Sequence, residues 1–443
     1  MKFIATCFLL SIFAFTIAAQ TSVQILAKAN GQSFTVADLP PQVREAFVNL
    51  AKNSIETRKF LFNQQIAEIL LETEAKVRKV SVDKLIETQV DAKVANPTEK
   101  QIQVVYDANR DALGNKDLAE VRGQIVAFLR REPEQKALGN FVTSLAKKYK
   151  VAVLKDVNAR NLKAADVLAN VNGRAITVRD FEAKNRVALY EQRANVFDDV
   201  KIALNEQIFS VLVIAEAKAQ NIETYDLIAR EVSDKMSDYS NVERELLESD
   251  FRKKLFMKYN AQFLLKEPAP LVLQISTDDD PSKGNANAPV TVVMFSDFQC
   301  SACAAAHPIL QKVLAQYPAD KIRFVVRDFP LTSIHENAFQ AALAANAAHK
   351  QGKFFEYIEF LYRNQDALDK ESLKKYASET GLNPAQFELD LQSAEIAAEI
   401  RKDMADGANY GITGTPTVYI NGIKVRRNMA DFFREAIERV LKK

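Results

Sequence analysis

The sequence predicts a multidomain chain. Mostly α-helical repeat modules with small β-hairpins come first, then an α/β domain carrying a helical insertion. Three observations predict this. A segment of roughly fifty residues recurs without a gap at a constant offset of 142 residues. Gly 12 and Pro 13 are few for 443 residues, which favours long helices over tight turns. After the repeat, apolar β-branched runs such as residues 290–295 alternate with helical patterns.

The chain opens with Lys2, an apolar run over 3–14 and the small-residue stretch Thr16-Ile-Ala-Ala19. This reads as a secretory signal at 1–19, with cleavage near Ala18 or Ala19; the alternative is an uncleaved membrane anchor. Lys+Arg 59 against Asp+Glu 57 leaves a net charge of +2, and no basic tract recruits nucleic acid. Hydrophobic content of 48% with 26% charged residues suits packed globular domains.

The repeat is seen first in Asn30-Gly31-Gln-Ser-Phe-Thr35-Val-Ala-Asp38, which returns as Asn172-Gly173-Arg-Ala-Ile-Thr177-Val-Arg-Asp180. Further on, Ile66, Leu70 and Glu74-Ala-Lys76 return as Ile208, Leu212 and Glu216-Ala-Lys218. Asn-Gly between apolar segments suits a two-residue hairpin turn, because both residues tolerate positive φ. Thr-x-x-Asp then reads as a capping box opening a long amphipathic helix. Asn96-Pro-Thr-Glu99 opens a later helix, and 147–154 reads as a closing strand able to pair with the opening hairpin. The second copy closes similarly at 269–275. These two modules are placed at 20–155 and 165–270.

The last part, 277–443, is organised around Cys300-Ser-Ala-Cys303. The pair follows the apolar run directly and precedes an alanine-rich helical pattern, with Pro308 one turn in. That spacing puts Cys300 at a helix N-terminus, where free N–H groups and the helix dipole favour a thiolate. Cys303 lies one turn on, close enough for a disulfide. The third cysteine, Cys7, falls in the signal, so the exported chain keeps only this pair. In an oxidising compartment that economy suits a redox centre better than a scaffold. A structural disulfide would close too short a loop to stabilise much. A zinc site would need two more ligands, and His335 and His349 stand fourteen apart. No metal and no cofactor is expected.

Two resemblances follow from these residues. The V-N-G-x-x-I-T opening, the L-x-x-x-E-A-K helix and the Asn-Pro-Thr start resemble the N-terminal chaperone modules of SurA-like and trigger-factor-related proteins. The Cys-x-x-Cys pattern, the strand over 321–331, the helical stretch 335–401 and Gly414-Thr-Pro416 resemble the DsbA-like thioredoxin-fold family. That resemblance implies that Cys300 attacks and Cys303 resolves. It also implies that Thr415 and the cis-proline Pro416 bind substrate backbone beside the disulfide. Departures accompany it. Ala302 and Ser301 stand where strong oxidants of the family often carry His and Pro, which predicts a less stabilised Cys300 thiolate. Met294 stands where a buried carboxylate commonly serves the resolving thiol. Asp297, on the opposite strand face, is a doubtful substitute. His307 reads as a solvated helix residue.

The expected function is an exported, periplasmic protein thiol:disulfide oxidoreductase, oxidase or isomerase rather than reductase. Its helical modules would hold unfolded or cysteine-containing substrate proteins. A redox partner would recycle the cysteines, and a homodimer is possible. The alternative is a non-enzymatic chaperone or scaffold whose thioredoxin-fold domain only binds a partner.

Overall fold

The computed structural model describes residues 24–113 and 116–442. The secretory segment expected at 1–19, with Cys7, lies outside the described residues. The chain divides into two compact units. One is Ala51–Leu189; the other joins the residues up to Leu50 with Tyr190–Lys443. Among the described residues no helix is long and apolar enough to cross a membrane.

Strands β1 (Ile25–Ala29) and β2 (Gln32–Thr35) form an antiparallel hairpin. Its turn residues Asn30 and Gly31 both have positive φ (48° and 75°), the backbone that a tight turn between twisted strands requires. Asp38 accepts the Thr35 N–H at 2.7 Å, so the Thr-x-x-Asp spacing does make a capping box. Helices α1 (Pro41–Val48), α2 (Leu50–Arg78), α3 (Val82–Gln89), α4 (Glu99–Asn109) and α5 (Leu118–Lys148) lead to the short β3 (Ala152–Val153). The second hairpin, β4 (Val167–Val171) and β5 (Arg174–Thr177), repeats the Asn-Gly turn and the capping box. It runs into α6 (Val178–Ala219), then α7 (Thr224–Glu231), α8 (Asn241–Lys258) and β6 (Gln262–Phe263).

The expected strand pairing is corrected. The 147–154 segment, expected to close the first hairpin, pairs through β3 with β4 of the second. Strand β1 pairs with β6, far along the chain. The segment 269–275 closes no hairpin; Val272 bridges Ile423 instead. The reason is core formation. Leu168, Val171 and Ile176 of the second hairpin pack on Phe62, Ile66, Ile69 and Leu145, whereas Leu26 and Phe34 of the first pack on Leu204, Ile208, Leu212 and Leu255. Each hairpin closes the helices of the other copy.

The C-terminal part is an α/β domain with the sheet order β11-β10-β8-β9-β7. Its elements are β7 (Ser282–Gly284), β8 (Val290–Ser296), α9 (Ser301–Leu314) and β9 (Ile322–Asp328). The insertion follows as α10 (Ala338–Lys350), α11 (Phe354–Arg363), α12 (Lys370–Glu379), α13 (Pro384–Asp390) and α14 (Ala394–Asn409). Strands β10 (Thr417–Ile420) and β11 (Ile423–Val425) and helix α15 (Ala430–Leu441) end the chain. β8 and β9 run parallel, in register from Val290↔Ile322 to Ser296↔Asp328. Covered on both faces, they read as continuous apolar runs rather than alternating ones. The insertion packs closely because α10 is lined with buried alanines at 338, 341, 342, 344, 345, 347 and 348. The predicted class, helical modules with hairpins followed by a thioredoxin-type α/β domain with a helical insertion, is the observed one.

Candidate active site

Cys300 is the N-cap of α9 and Cys303 sits in its first turn. The sulfurs are free thiols, and both residues are buried. The turn that presents them is bound on several sides. Asp297 is 1% exposed; its Oδ1 accepts the Gln299 N–H (2.8 Å), and its Oδ2 meets the Leu331 N–H (2.8 Å) and His335 Nδ1 (2.7 Å). Gln299 Oε1 accepts the Asn337 N–H at 2.8 Å. Gln365 Nε2 donates to the carbonyls of Phe298 (3.0 Å) and Cys300 (2.9 Å). A short polar residue just before the helix thus fixes the loop that carries the nucleophile.

From the other side comes the loop before β10. Thr415–Pro416 is a cis peptide, and the Cys300 thiol lies 3.5 Å from the Thr415 carbonyl. The structure therefore brings Cys300, Cys303, Thr415 and Pro416 together, although over a hundred residues separate the two pairs.

The two thiols differ sharply. The hydrogen bond from Cys303 holds the Cys300 thiol well below the ordinary range, at about 5, against a burial that pushes the other way; Thr415 and the N–H groups of Cys303 and Ala302 add to it. Burial pushes the Cys303 thiol far up, and its hydrogen bond to Cys300 acts in the same direction. With Ala302 in the place of a histidine, the donors left to the Cys300 sulfur are Cys303, Thr415 and backbone N–H groups.

Behind Cys303 lies a buried polar group absent from the sequence reading. Ser296, buried at the end of β8, lies 2.6 Å, Oγ to Oη, from Tyr362. His307, expected in solvent, is 2% exposed; its ring stands 4.9 Å from that of Tyr362, and its Nε2 is 3.0 Å from Glu359 Oε1. Its place at i+4 from Cys303, on the face of α9 that also holds Leu310, was the available signal. His335 is taken by Asp297, and the ring of His349 lies edge-on to Phe354. Met294 packs in the core.

Residues 276–439 match the family model described as Thioredoxin. Among curated proteins, the chain is 35% identical over 167 residues to Na(+)/H(+) antiporter NhaA 3 of Salinispora tropica, covering 38% of this chain and 25% of that protein. The chain spans about a quarter of the length of the curated relatives it matches. Among solved structures it is similar to a thioredoxin-like oxidoreductase from Silicibacter pomeroyi (28% identity, 37% of this chain and 93% of that one, TM-score 0.34). It is also similar to oxidised BdbD from Bacillus subtilis (25% identity, 40% and 100% covered, TM-score 0.36). The cysteine pair and the cis-proline loop thus lie in a C-terminal thioredoxin-fold domain.

Proposed function

We propose that this chain is an exported protein thiol:disulfide oxidoreductase in which Cys300 forms the mixed disulfide with substrate and Cys303 resolves it. The carrying observation is the asymmetry of the pair: one sulfur at a helix N-terminus held at about 5, the other buried and held protonated. A nucleophile that is anionic at neutral pH also leaves readily, which favours oxidase or isomerase chemistry over reduction. Thr415, its backbone beside the sulfur, is the natural contact for an extended substrate segment. The helical units hold unfolded, cysteine-containing substrates, as the SurA-like pattern of their sequence implies, and a redox partner recycles the pair. The apolar segment at 3–14 supports a periplasmic location.

The test is exchange with a dithiol peptide together with the reduction potential in glutathione buffers. The expected potential lies between about −120 and −180 mV. Cys300→Ser abolishes exchange, while Cys303→Ser traps the mixed disulfide. A Cys300→Ser variant with unchanged exchange sinks the proposal. Failure of the full chain to slow aggregation of a denatured model protein removes the substrate-holding part alone.

A further inference from the structure

We propose that Gln365, carried by the helical insertion, is a positioning residue for Cys300. Its carboxamide holds the turn from which the sulfur draws its hydrogen bonds, and so sets how readily Cys300 leaves as a thiolate. This role rests on the thiol–disulfide reading above and assigns a residue that tunes the same site.

The need for such a residue follows from what stands between the cysteines. Ser301 and Ala302 bring no charge, so the Cys300 thiolate depends on Cys303, Thr415 and the N–H groups of Ala302 and Cys303. Backbone N–H groups serve an anion only while they point at it, and a helix frays first at its ends. The Cys300 N–H is taken by the Asp297 carbonyl (3.1 Å), and the Cys300 carbonyl receives the N–H groups of Cys303 (3.0 Å) and Ala304 (3.1 Å). Those bonds are local to the turn and open with it.

Gln365 comes from outside the turn. It lies between α11 and α12, and its Nε2 donates to the Phe298 carbonyl at 3.0 Å and to the Cys300 carbonyl at 2.9 Å. The amide nitrogen carries two N–H bonds, so one group serves both carbonyls at once. Among the described residues no other side chain bonds the Cys300 main chain. Two pinned carbonyls, two residues apart, fix the extended backbone of Cys300 (φ −77°, ψ 117°) that opens α9.

The loop that offers the amide is itself held. Asn364 Nδ2 donates to the Phe360 carbonyl (2.8 Å), and the Ala367 N–H to the Asn364 carbonyl (2.9 Å). Tyr376 Oη donates to the Ala367 carbonyl at 3.0 Å, and Leu368 is buried. The insertion therefore reaches the nucleophile through one side chain. The other ties stop short of Cys300. Asp297, the charged group of the turn, is engaged by Gln299, Leu331 and His335, and Gln299 by Asn337. Cys303 and the uncharged Thr415 are the remaining groups that meet the sulfur.

The consequence falls on the step that ends substrate oxidation. The second substrate thiolate attacks the substrate sulfur of the mixed disulfide. The substrate disulfide forms, the bond to Cys300 breaks, and the electron pair leaves on Cys300 Sγ. The better the turn holds that thiolate, the more oxidising the pair.

The test alkylates the reduced full chain with iodoacetamide from about pH 3 to 9, the range of perturbed thiols, and reads its potential in glutathione buffers. The wild-type midpoint lies at about 5. Gln365→Ala raises it by about one unit, the worth of one net hydrogen bond. The reduced form loses that stabilisation, so its equilibrium with glutathione shifts about tenfold and the potential falls by about 30 mV. Gln365→Glu keeps the length of the side chain but removes both N–H donors. It moves both readouts in the same direction and stands in if the alanine variant does not fold. A packing role alone would weaken the variants toward denaturant and leave midpoint and potential unchanged; that outcome overturns the assignment while the exchange reading stands. A wild type that exchanges no disulfide with dithiothreitol overturns the underlying reading and this one with it.

Discussion

The two hairpins are nearly the same object in different settings. Each has an Asn-Gly turn, a bulge early in its first strand and a Thr-x-x-Asp cap. Even the anchoring bonds repeat: the Asn30 N–H donates to the Tyr259 carbonyl and the Asn172 N–H to that of Tyr149, both at 3.3 Å. What differs is distance along the chain. β4 meets β3 across a short connection, so Ala51–Leu189 is a continuous unit with its own hairpin. β1 must find β6 more than two hundred residues later, and the whole continuous unit is threaded between the two parts of the other. Sequence repeat and structural unit are therefore out of phase by one hairpin. The core that depends on β1 closes a longer loop, and that closure costs entropy.

The largest test of this comparison is to delete residues 24–35. If the hairpin belongs to the helices of the second copy, the loss falls on 204–217 and 247–255, which lose the packing of Leu26 and Phe34. Truncating one such buried residue costs about 2–5 kcal/mol, so removing both opens that core. Amide hydrogen exchange would show faster exchange there, with residues 62–75 unchanged. Protection lost at 62–75 instead would mean that each copy closes on its own hairpin.

A smaller test uses the buried glutamates, which also repeat. Glu74 accepts from Lys148 Nζ (2.6 Å), Tyr149 Oη (2.6 Å) and Arg78 Nε (2.7 Å). Glu216 accepts from Lys258 Nζ (2.6 Å), Tyr259 Oη (2.9 Å) and Gln220 Nε2 (2.5 Å). The first has two cationic partners and the second has one. Hydrogen bonds to charged groups are worth about 1.5–3 kcal/mol each, so Glu74→Gln, which weakens two, costs more than Glu216→Gln, which weakens one, by about that amount. Equal losses in denaturant titration would remove the distinction.

The residues that revealed this architecture are those whose chemistry allows few other roles. Asn-Gly with Thr-x-x-Asp dictates a turn and a cap wherever it occurs, so both hairpins were legible. Their partners were not: β3 and β6 are two residues each, with Val153 and Phe263 exposed, and nothing in such a segment specifies a register. The same divide runs through the site. Cys300, Cys303 and Pro416 announce themselves by type and spacing. Ser296 and Tyr362 come from elements far apart in sequence, and each looks ordinary in its own segment. Asp297 lies just past the end of its strand, so alternation does not reveal its part, which is to cap the turn with a short side chain.

The smallest effect, and the most specific, is in acid. Burial pushes the Glu74 carboxyl up, but the hydrogen bonds from Lys148, Tyr149 and Arg78 outweigh it and hold the group at about 2, against an ordinary 4.5. A carboxyl depressed in the folded state binds its proton more weakly there than in the unfolded chain. Its contribution is therefore present above pH 4.5 and drains away as pH falls toward 2. Glu216 is lowered too, by Lys258 first. Both units thus lose stability on the acid side, and Glu74→Gln flattens the pH dependence of Ala51–Leu189 alone. Exchange rates of amides in 62–75, followed from neutral pH into this window and corrected for intrinsic chemistry, read that flattening directly. A variant with an acid limb as steep as the wild type would place the titration elsewhere and leave Glu74 a packing residue.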